Sequence, residues 1–245
     1  MSLIAALERA TLNALPAPRV HFDGPFVVRA FLGGTGRANA ACSLDAARDP
    51  GMSARIERIA AHYRRLGLTP RVRSSPLDPE GLGEHLRGTG WVAADESLVT
   101  CGALGPLGRL VPEVEFLPAP DAAWLEVIGT AEYQSVARKA EKQQAVKLFA
   151  IPATWLLLRV DGTPAAAMAT TCDGDFCGVF DLVVRPEFRR RGLARRMIGA
   201  AAHWAGEQGA LQMFAQVAAA NTASRTLQEG IGMMERYRYT YFLRP

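Results

Sequence analysis

The sequence repeats one order of glycine-bounded elements at a fixed offset. In the first half, Gly67 ends a helical segment and precedes a strand, a helix and Gly90. In the second half, Gly209 and Gly232 bound the same succession, and each lies 142 residues after its counterpart. Such self-similarity indicates two copies of one structural unit. The length of 245 residues also suits two domains, so we predict two domains of related fold.

A segment rich in glycine and proline separates the two halves. Residues 102–121 hold three glycines and four prolines, a density that marks a linker or crossing loop. We therefore predict a first domain at residues 1–115 and a second at residues 122–245. Strands and helices occur together in both halves, so the expected fold class is α/β.

The spacing of apolar residues predicts the elements of the second half. The run AAWLEVI predicts a strand at residues 122–128, and a polar helix follows at about residues 130–148. Alternating or continuous apolar runs predict further strands at ATWLLLRV, PAAAMATTC, CGVFDLVV, LQMFAQVA and MMERYRYTYFL. The segment GLARRMIGAAAHWAGEQG predicts the main helix, which ends at Gly209.

Six arginines crowd residues 185–196, RPEFRRRGLARR, between a predicted strand and the main helix. The first turn of a helix offers backbone N–H groups without internal partners, and the helix dipole favours an anion there. Cations at that end oppose the dipole by about 0.3–1 kcal/mol each. A glycine allows close approach of a phosphate, and arginines add charge-assisted contacts. This segment therefore predicts a phosphate site.

The counterpart segment in the first half lacks these features. Residues 47–52 read ARDPGM, which places Asp49 and Pro50 where the second half has arginines. If the halves are related, only the second retains the anion site.

Composition argues against several other classes of function. The formal net charge of +4 is too small for a broad nucleic-acid-binding surface. The four cysteines form no CxxC pair, so we expect neither a disulfide framework nor a metal site. The chain shows neither a signal peptide nor a long apolar run. We expect a soluble cytoplasmic protein with no nucleic-acid or membrane partner, as a monomer or homodimer.

The arginine segment also resembles a known family. Residues 189–194, RRRGLA, fit the [Arg/Gln]-x-x-Gly-x-[Gly/Ala] signature of the GNAT superfamily of acetyl-CoA-dependent N-acetyltransferases. The preceding FDLVVRPEFR and the later LQMFAQVAAANTASRTLQEGIGM are similar to that family's strand before the signature and to its later strand, Asn and helix. The resemblance covers residues 122–245, and residues 20–105 look like a degenerate copy, as in tandem GNAT proteins. It implies two GNAT-like domains, each a mostly antiparallel sheet flanked by helices.

The resemblance implies a binding site for acetyl-CoA as cosubstrate. The pyrophosphate would rest on the arginine loop, and the preceding strand would pair with the pantetheine arm and polarise the thioester carbonyl through an N–H. Asn221 would contact the arm. Gln228 stands where many relatives carry the tyrosine that protonates the leaving thiolate. The implied cofactor-binding residues are Leu182, Val183, Val184, Arg189, Arg190, Arg191, Gly192, Leu193, Ala194, Arg195, Asn221 and Gln228.

The implied reaction is direct attack of a primary amine on the thioester, which requires a base and an acid. Asp181 stands where relatives often carry a carboxylate, although a strand-end Asp can also bond only to backbone. Since Gln228 cannot act as the acid, Tyr237, Tyr239 or Tyr241 could substitute, as could solvent, and we take Tyr239 as the candidate. Alternating tyrosines also suit simple packing on a strand face.

The acceptor amine, a small molecule or a peptide, is not identified by the sequence. We expect its pocket to involve the helix at residues 130–148 and the CDGDFC turn, where Asp173 and Asp175 would suit a cationic amine. Two alternatives to an enzyme stay open: a CoA-binding regulatory module without catalysis, and a nucleic-acid-binding protein.

Overall fold

The computed structural model describes residues 2–245. Its α-helices are α1 (Leu3–Ala14), α2 (Met52–Arg65), α3 (Leu82–Gly88), α4 (Ala122–Gly129), α5 (Val136–Ala145), α6 (Leu193–Glu207) and α7 (Thr222–Glu229). Its strands are β1 (Arg19–Asp23), β2 (Phe26–Ala30), β3 (Ala41–Ser43), β4 (Arg71–Ser74), β5 (Val92–Ala103), β6 (Val114–Leu117), β7 (Ala153–Val160), β8 (Thr163–Asp173), β9 (Phe176–Val184), β10 (Gln212–Ala218) and β11 (Met234–Leu243).

All eleven strands of this part of the chain belong to one sheet, in the order β1-β2-β3-β4-β11-β5-β10-β9-β8-β7-β6. Neighbouring strands are antiparallel except in two pairs, β3 with β4 and β9 with β10. These two parallel pairs hold equivalent places in the strand order of the two halves. The α/β fold and the mostly antiparallel arrangement are confirmed, although the two halves share one continuous sheet.

The sheet has an approximate two-fold symmetry that follows the repeat. β1 to β5 of the first half are equivalent to β7 to β11 of the second half. If the equivalent strands are renamed for one another and β6 is left out, the result is the same strand order read from the other end. The symmetry is centred between β11 and β5. β11 lies between β4 and β5, while β5 pairs with β10. Each half therefore receives its last strand from the other half. This exchange removes the unpaired edges that two separate sheets would present there.

The glycines of the repeat occupy equivalent conformations. Gly67 and Gly209 have φ of +66° and +89°, and Gly90 and Gly232 both have φ of +83°. Each follows a helix closely, where a left-handed residue ends the helix and glycine has no steric penalty. The repeat read in the sequence thus recurs in the backbone. The domain boundary at residues 115–122 stays a prediction.

α1 covers the junction between the two halves. Its buried side chains Leu7, Ala10 and Ala14 pack in a cluster with Val99 of β5 and Tyr237 of β11. The main core of the second half lies between α6 and the sheet, and a separate core beneath α2 and α3 belongs to the first half. The helix that precedes the first repeat therefore stabilises the region where the strands are exchanged.

A buried ion pair lies beneath α1. Glu8 accepts hydrogen bonds from the Arg73 guanidinium, at 3.0 Å for the Nη1–Oε1 contact, and from the Tyr237 hydroxyl at 2.5 Å. The side chains of Arg73 and Glu8 are 2% and 0% exposed. A charge in such a place is tolerated only because it is paired and hydrogen-bonded. This cluster ties α1 to β4 and to the exchanged strand β11.

Two of the predicted elements need correction, and two strands were not predicted. AAWLEVI is the helix α4 and not a strand, because Asp121 caps it by accepting a hydrogen bond from the Trp124 N–H at 2.7 Å. The helix predicted at residues 130–148 is shorter, at Val136–Ala145. The edge strands β1 and β6 were not predicted; β1 forms a hairpin with β2, and β6 lies inside the segment taken as a linker. In residues 2–245 no helix combines the length and apolar character needed to cross a membrane.

Candidate functional site

The site is built where β9 and β10 part. These parallel strands pair over residues 176–179 and 212–215. Both continue, to Val184 and Ala218, but their facing edges are no longer paired with each other. A cavity of about 490 Å³ occupies the gap and extends toward β11 and α5. The free backbone edges offer N–H and C=O groups to which an extended ligand could pair as a strand does.

A bulge in β9 lies at the mouth of this gap. Asp181 and Leu182 face only one residue of β8, because the register shifts between Ala167 and Ala169. Asp181 adopts φ of +53°, which is uncommon for a residue other than glycine. Bulges of this kind redirect the backbone and the side chain and often lie next to active sites. Here the bulge lies in the strand that lines the cavity.

The arginine loop follows β9 along the chain and leads into an open helix N-terminus, and none of the residues 189–195 lines the cavity. Gly192, with φ of +75°, is the N-cap residue of α6, and no side chain caps the helix. The first N–H groups of α6 are thus free to bind an anion, and the helix dipole favours one. Leu193 is buried in the core and Ala194 is half-buried, so these two residues can contribute backbone groups.

The six arginines divide into two groups. Arg185 forms salt bridges with Glu126 and Glu187, and Arg196 forms one with Glu113, each at 2.9 Å. The other four are exposed and have no salt bridge within residues 2–245: Arg189, Arg190, Arg191 and Arg195. Four of the six arginines are therefore available to an anion, and the other two are already paired.

The equivalent helix N-terminus in the first half has a carboxylate beside it. The Asp49 carboxylate accepts a hydrogen bond from the N–H of Gly51, the N-cap residue of α2, at 3.0 Å. It also bonds to Arg55 at 2.8 Å. A carboxylate beside the N-terminus of α2 would thus repel a phosphate, although α2, like α6, has no side-chain cap. The difference between ARDPGM and RRRGLA has a direct structural consequence.

Asp181 is held by a lysine from α5. The Nζ of Lys142 lies 2.5 Å from Oδ2 of Asp181, and the two side chains are 11% and 16% exposed. Both line the cavity. The carboxylate therefore lines the cavity, and its partner is a cation that the sequence analysis did not identify; the role of Asp181 as a base stays a prediction.

A glycine-rich loop of the first half closes the other side of the cavity. Gly34, Thr35, Gly36 and Arg37 line it. The buried Glu141 of α5 fixes this loop by accepting hydrogen bonds from the backbone N–H groups of Leu32, Gly34 and Thr35 and from the Asn39 side chain, at 2.6–3.0 Å. A helix of the second half therefore anchors a loop of the first half beside the site.

Tyr239 of β11 faces the cavity, and its hydroxyl lies 3.4 Å from Nη1 of Arg37. Burial alone raises the pKa of Tyr239, but the nearby Arg37 and Arg73 guanidiniums and a hydrogen bond with Ser97 lower this pKa below its ordinary value on balance. Tyr241 also lines the cavity, although burial raises its pKa. Tyr237 points away and donates to Glu8. Tyr239 is thus the best placed of the three to release a proton.

The remaining predicted residues line the same cavity or support it. Leu182 and Gln228 line it; Gln228 is buried and accepts from the Thr100 hydroxyl at 2.7 Å. Asn221 lines it too, but its side chain also caps α7 by accepting from the Ser224 N–H at 3.0 Å. The side chains of Val183 and Val184 pack into the core, so only their backbone groups can serve a ligand.

Only some of the residues expected to contact the acceptor line the cavity. Asp173 accepts from Asn13 at 2.8 Å, and neither it nor Asp175 lines the cavity. The predicted helix does line it, through Arg138, Glu141 and Lys142. The sequence analysis did not identify the GGTGR loop at residues 33–37 as part of the site. It also missed Arg71 and Ser97, which reach the site from β4 and β5.

Comparisons with known proteins agree with this geometry. The profile of a family described as "Probable histone acetyltransferase Rv0428c C-terminal" matches residues 1–242. The uncharacterized N-acetyltransferase YobR of Bacillus subtilis (strain 168) is 25% identical over 238 residues, or 95% of each chain. A GCN5-related N-acetyltransferase from Kribbella flavida superposes with a TM-score of 0.71 at 17% identity, over 100% of this chain and 96% of that one. A tandem GNAT protein from the clavulanic acid biosynthesis pathway gives 0.65 at 13% identity, over 97% and 86% of the chains.

Proposed function

We propose a specific reaction for this chain, which belongs to the family described as probable histone acetyltransferase Rv0428c C-terminal and to the GNAT superfamily of N-acetyltransferases. The chain transfers the acetyl group of acetyl-CoA to a primary amine. The observation that carries this proposal is that two features follow one another along the chain: the gap between β9 and β10 and the uncapped N-terminus of α6. One suits a pyrophosphate and the other a narrow, extended arm.

The residues of the loop fit the phosphate end of acetyl-CoA. The free N–H groups of the first turn of α6 would bind the pyrophosphate, and the exposed arginines would add charge-assisted contacts. Gly192 keeps the backbone accessible, because nothing lies within 4 Å of the position that a Cβ would take there. In the first half, Asp49 would repel the same group, so we assign one acetyl-CoA to each chain.

The free edge of β9 fits the pantetheine arm. Residues 182–184 would pair with its amides, and an N–H redirected by the bulge would donate to the thioester oxygen. Such a donor stabilises the negative charge that develops on this oxygen as the amine attacks. Asn221 and Gln228, from α7, would contact the arm from the opposite side of the gap.

The chemical step moves two protons and exchanges one bond for another. The amine nitrogen attacks the carbonyl carbon, a C–N bond forms and the C–S bond breaks. Asp181, directly or through a water molecule, accepts the proton that the attacking amine loses. Tyr239 donates a proton to the leaving thiolate, a role suited to a phenol whose pKa is lowered by neighbouring guanidiniums.

A second candidate is a CoA-binding module without catalysis. Gln228 favours it, because this residue cannot protonate a thiolate and stands where many GNAT members carry a tyrosine. Tyr239 weighs against it, since it supplies a phenol in the same cavity from a different strand.

Thiol release separates these candidates. Acetyl-CoA is mixed with the protein and a panel of small amines, polyamines, amino acids and lysine-containing peptides, and free thiol is measured against acetylated amine. An enzyme gives amine-dependent release with equal amounts of both products. A binding module binds CoA but gives no amine-dependent release.

A further inference from the structure

The cavity contains more positive than negative side chains. Its lining includes four cationic residues, Arg37, Arg71, Arg138 and Lys142, and three acidic ones, Asp95, Glu141 and Asp181. Both carboxylate oxygens of Glu141 accept hydrogen bonds from the glycine-rich loop, and Asp181 is paired with Lys142. Asp95 is exposed. Within residues 2–245 the three arginines that line the cavity form no salt bridge with a carboxylate.

Among these arginines, Arg37 is the one with a buried, unpaired nitrogen: its Nε has no hydrogen-bond partner in residues 2–245. Its Nη1 makes only long contacts, 3.5 Å to Gln216 and 3.4 Å to Tyr239. Within that part of the chain no carboxylate forms a salt bridge with it. Arg37 as a whole is half-buried, but an unpaired buried donor such as its Nε is costly, and a guanidinium in such a place is stabilised by an anion. Such a group is best explained by a ligand that supplies the anion.

The position of Arg37 is fixed by the fold. The loop that carries it is held by Glu141, and its backbone carbonyl accepts a hydrogen bond from Arg29 at 3.0 Å. Gly36 allows Tyr241 to lie against the loop, because a Cβ there would come within 2.7 Å of the tyrosine ring. The guanidinium is therefore presented to the site by a rigid support, as a specific binding group requires.

We propose that the acceptor amine also carries an acidic group, a carboxylate or a phosphate-like group, and that Arg37 binds it. This inference rests on the proposed acetyl transfer and adds the class of acceptor: a zwitterionic, amino-acid-like amine. Arg71, which lies over the Tyr241 ring at 5.8 Å, lines the same side and adds positive charge. The first half of the chain thereby selects the substrate of the second.

Arg37 also contacts Tyr239, so its role must be separated from an effect on the acid. A change in the acidity of Tyr239 alters the rate for every acceptor equally. Binding of an acidic group alters only acceptors that carry one. The discriminating quantity is therefore the ratio of kcat/KM between acceptors that differ in this group alone.

The experiment uses three series of primary amines of equal chain length, with one end a carboxylate, a phosphonate or a neutral carboxamide. Wild type is expected to prefer one acidic series over the carboxamide by about tenfold or more, since charge-assisted bonds are the strong ones. Arg37→Gln reduces that ratio to near one, and Arg37→Lys retains part of it. The exposed Arg64→Gln, on α2, is the charge-matched control and retains the full ratio.

Calorimetric binding of the same amines to the CoA-loaded protein provides a readout without turnover. The inference is overturned if wild type binds and uses acidic and neutral acceptors equally, or if Arg37→Gln preserves the preference. Failure of acetyl transfer itself has a different signature, in which no amine gives thiol release. In that case, calorimetry still measures whether the acidic group is bound through Arg37. If no such binding is found, the inference is rejected as well.

Discussion

Nη1 of Arg37 lies 3.4 Å from the hydroxyl oxygen of Tyr239, and the two residues come from opposite halves of the chain. Arg37 is on the loop between β2 and β3, and Tyr239 is on the last strand, which pairs with β5. Their proximity depends on the exchange of β5 and β11. The cavity is thus assembled from both repeats, although only the second carries the arginine loop.

Tyr239→Phe is expected to lower kcat by about 100-fold, because a general acid contributes on that scale. The KM for acetyl-CoA should change little. Tyr237→Phe, two residues along the same strand, serves as the control: it removes the hydrogen bond to Glu8 and should reduce stability without a comparable loss of kcat. Equal kcat for wild type and Tyr239→Phe would assign thiolate protonation to another group.

The pH dependence tests the same tyrosine. An acid must be protonated, so activity should fall as pH rises through the pKa of Tyr239, which lies below its ordinary value near 10. Arg37→Gln removes one of the cations that lower this pKa. The alkaline limb of the kcat profile should therefore move to higher pH. A limb that stays in place in this variant would mean that it reports a different group.

Arg191→Glu is expected to weaken acetyl-CoA binding by about tenfold or more, because it replaces a phosphate-binding cation with an anion at the N-terminus of α6. Arg64→Glu on α2 makes the same charge change at an exposed position of the first half. Calorimetric titration of both variants gives the comparison. Unchanged affinity in Arg191→Glu would contradict the role of the loop.

One acetyl-CoA is expected to bind per chain. The Asp49 carboxylate lies beside the helix N-terminus in the first half, 3.0 Å from the Gly51 N–H, and would repel a second pyrophosphate. Titration of wild type should give a stoichiometry of one. The Asp49→Ala variant should remain at one, because the first half also lacks the arginines of the second. A stoichiometry of two in wild type would refute the assignment.

Glu8→Gln is expected to lower the free energy of unfolding by about 3–5 kcal/mol, because it leaves the buried Arg73 without its counter-ion. Glu57→Gln breaks an exposed pair with Arg244, in which Glu57 is 51% exposed, and should cost about 0–1 kcal/mol. Denaturant unfolding of both variants measures the difference. Equal effects would show that the Glu8 pair contributes no more than a surface contact.

The sequence was most informative where function depends on local order. The strand, the arginines, Gly192 and the helix follow one another, so their arrangement could be predicted without knowing the rest of the fold. The repeat could be predicted for the same reason, since a common offset needs only the sequence. The phosphate role of these residues stays a prediction until a ligand is measured.

Other features depend on contacts between distant residues. AAWLEVI is seven residues long, and such a short apolar run does not distinguish a strand from a buried helix; the capping Asp121 was the missed signal. The sequences of β5 and β11 do not reveal that these strands are exchanged, because each would show the same alternating pattern with either partner. Arg37 could not be assigned to the site for this reason, as its loop reaches the cavity only through Glu141, 104 residues later.

The central claim is that this cavity transfers an acetyl group from acetyl-CoA to an amine. The most direct test is the simultaneous measurement of free thiol and acetylated amine for wild type and Tyr239→Phe, with saturating acetyl-CoA and the amine panel. The account predicts amine-dependent thiol release that equals the acetylated product and falls sharply in the variant. Tight binding of acetyl-CoA with no amine-dependent release from any acceptor would contradict it and favour a CoA-binding module.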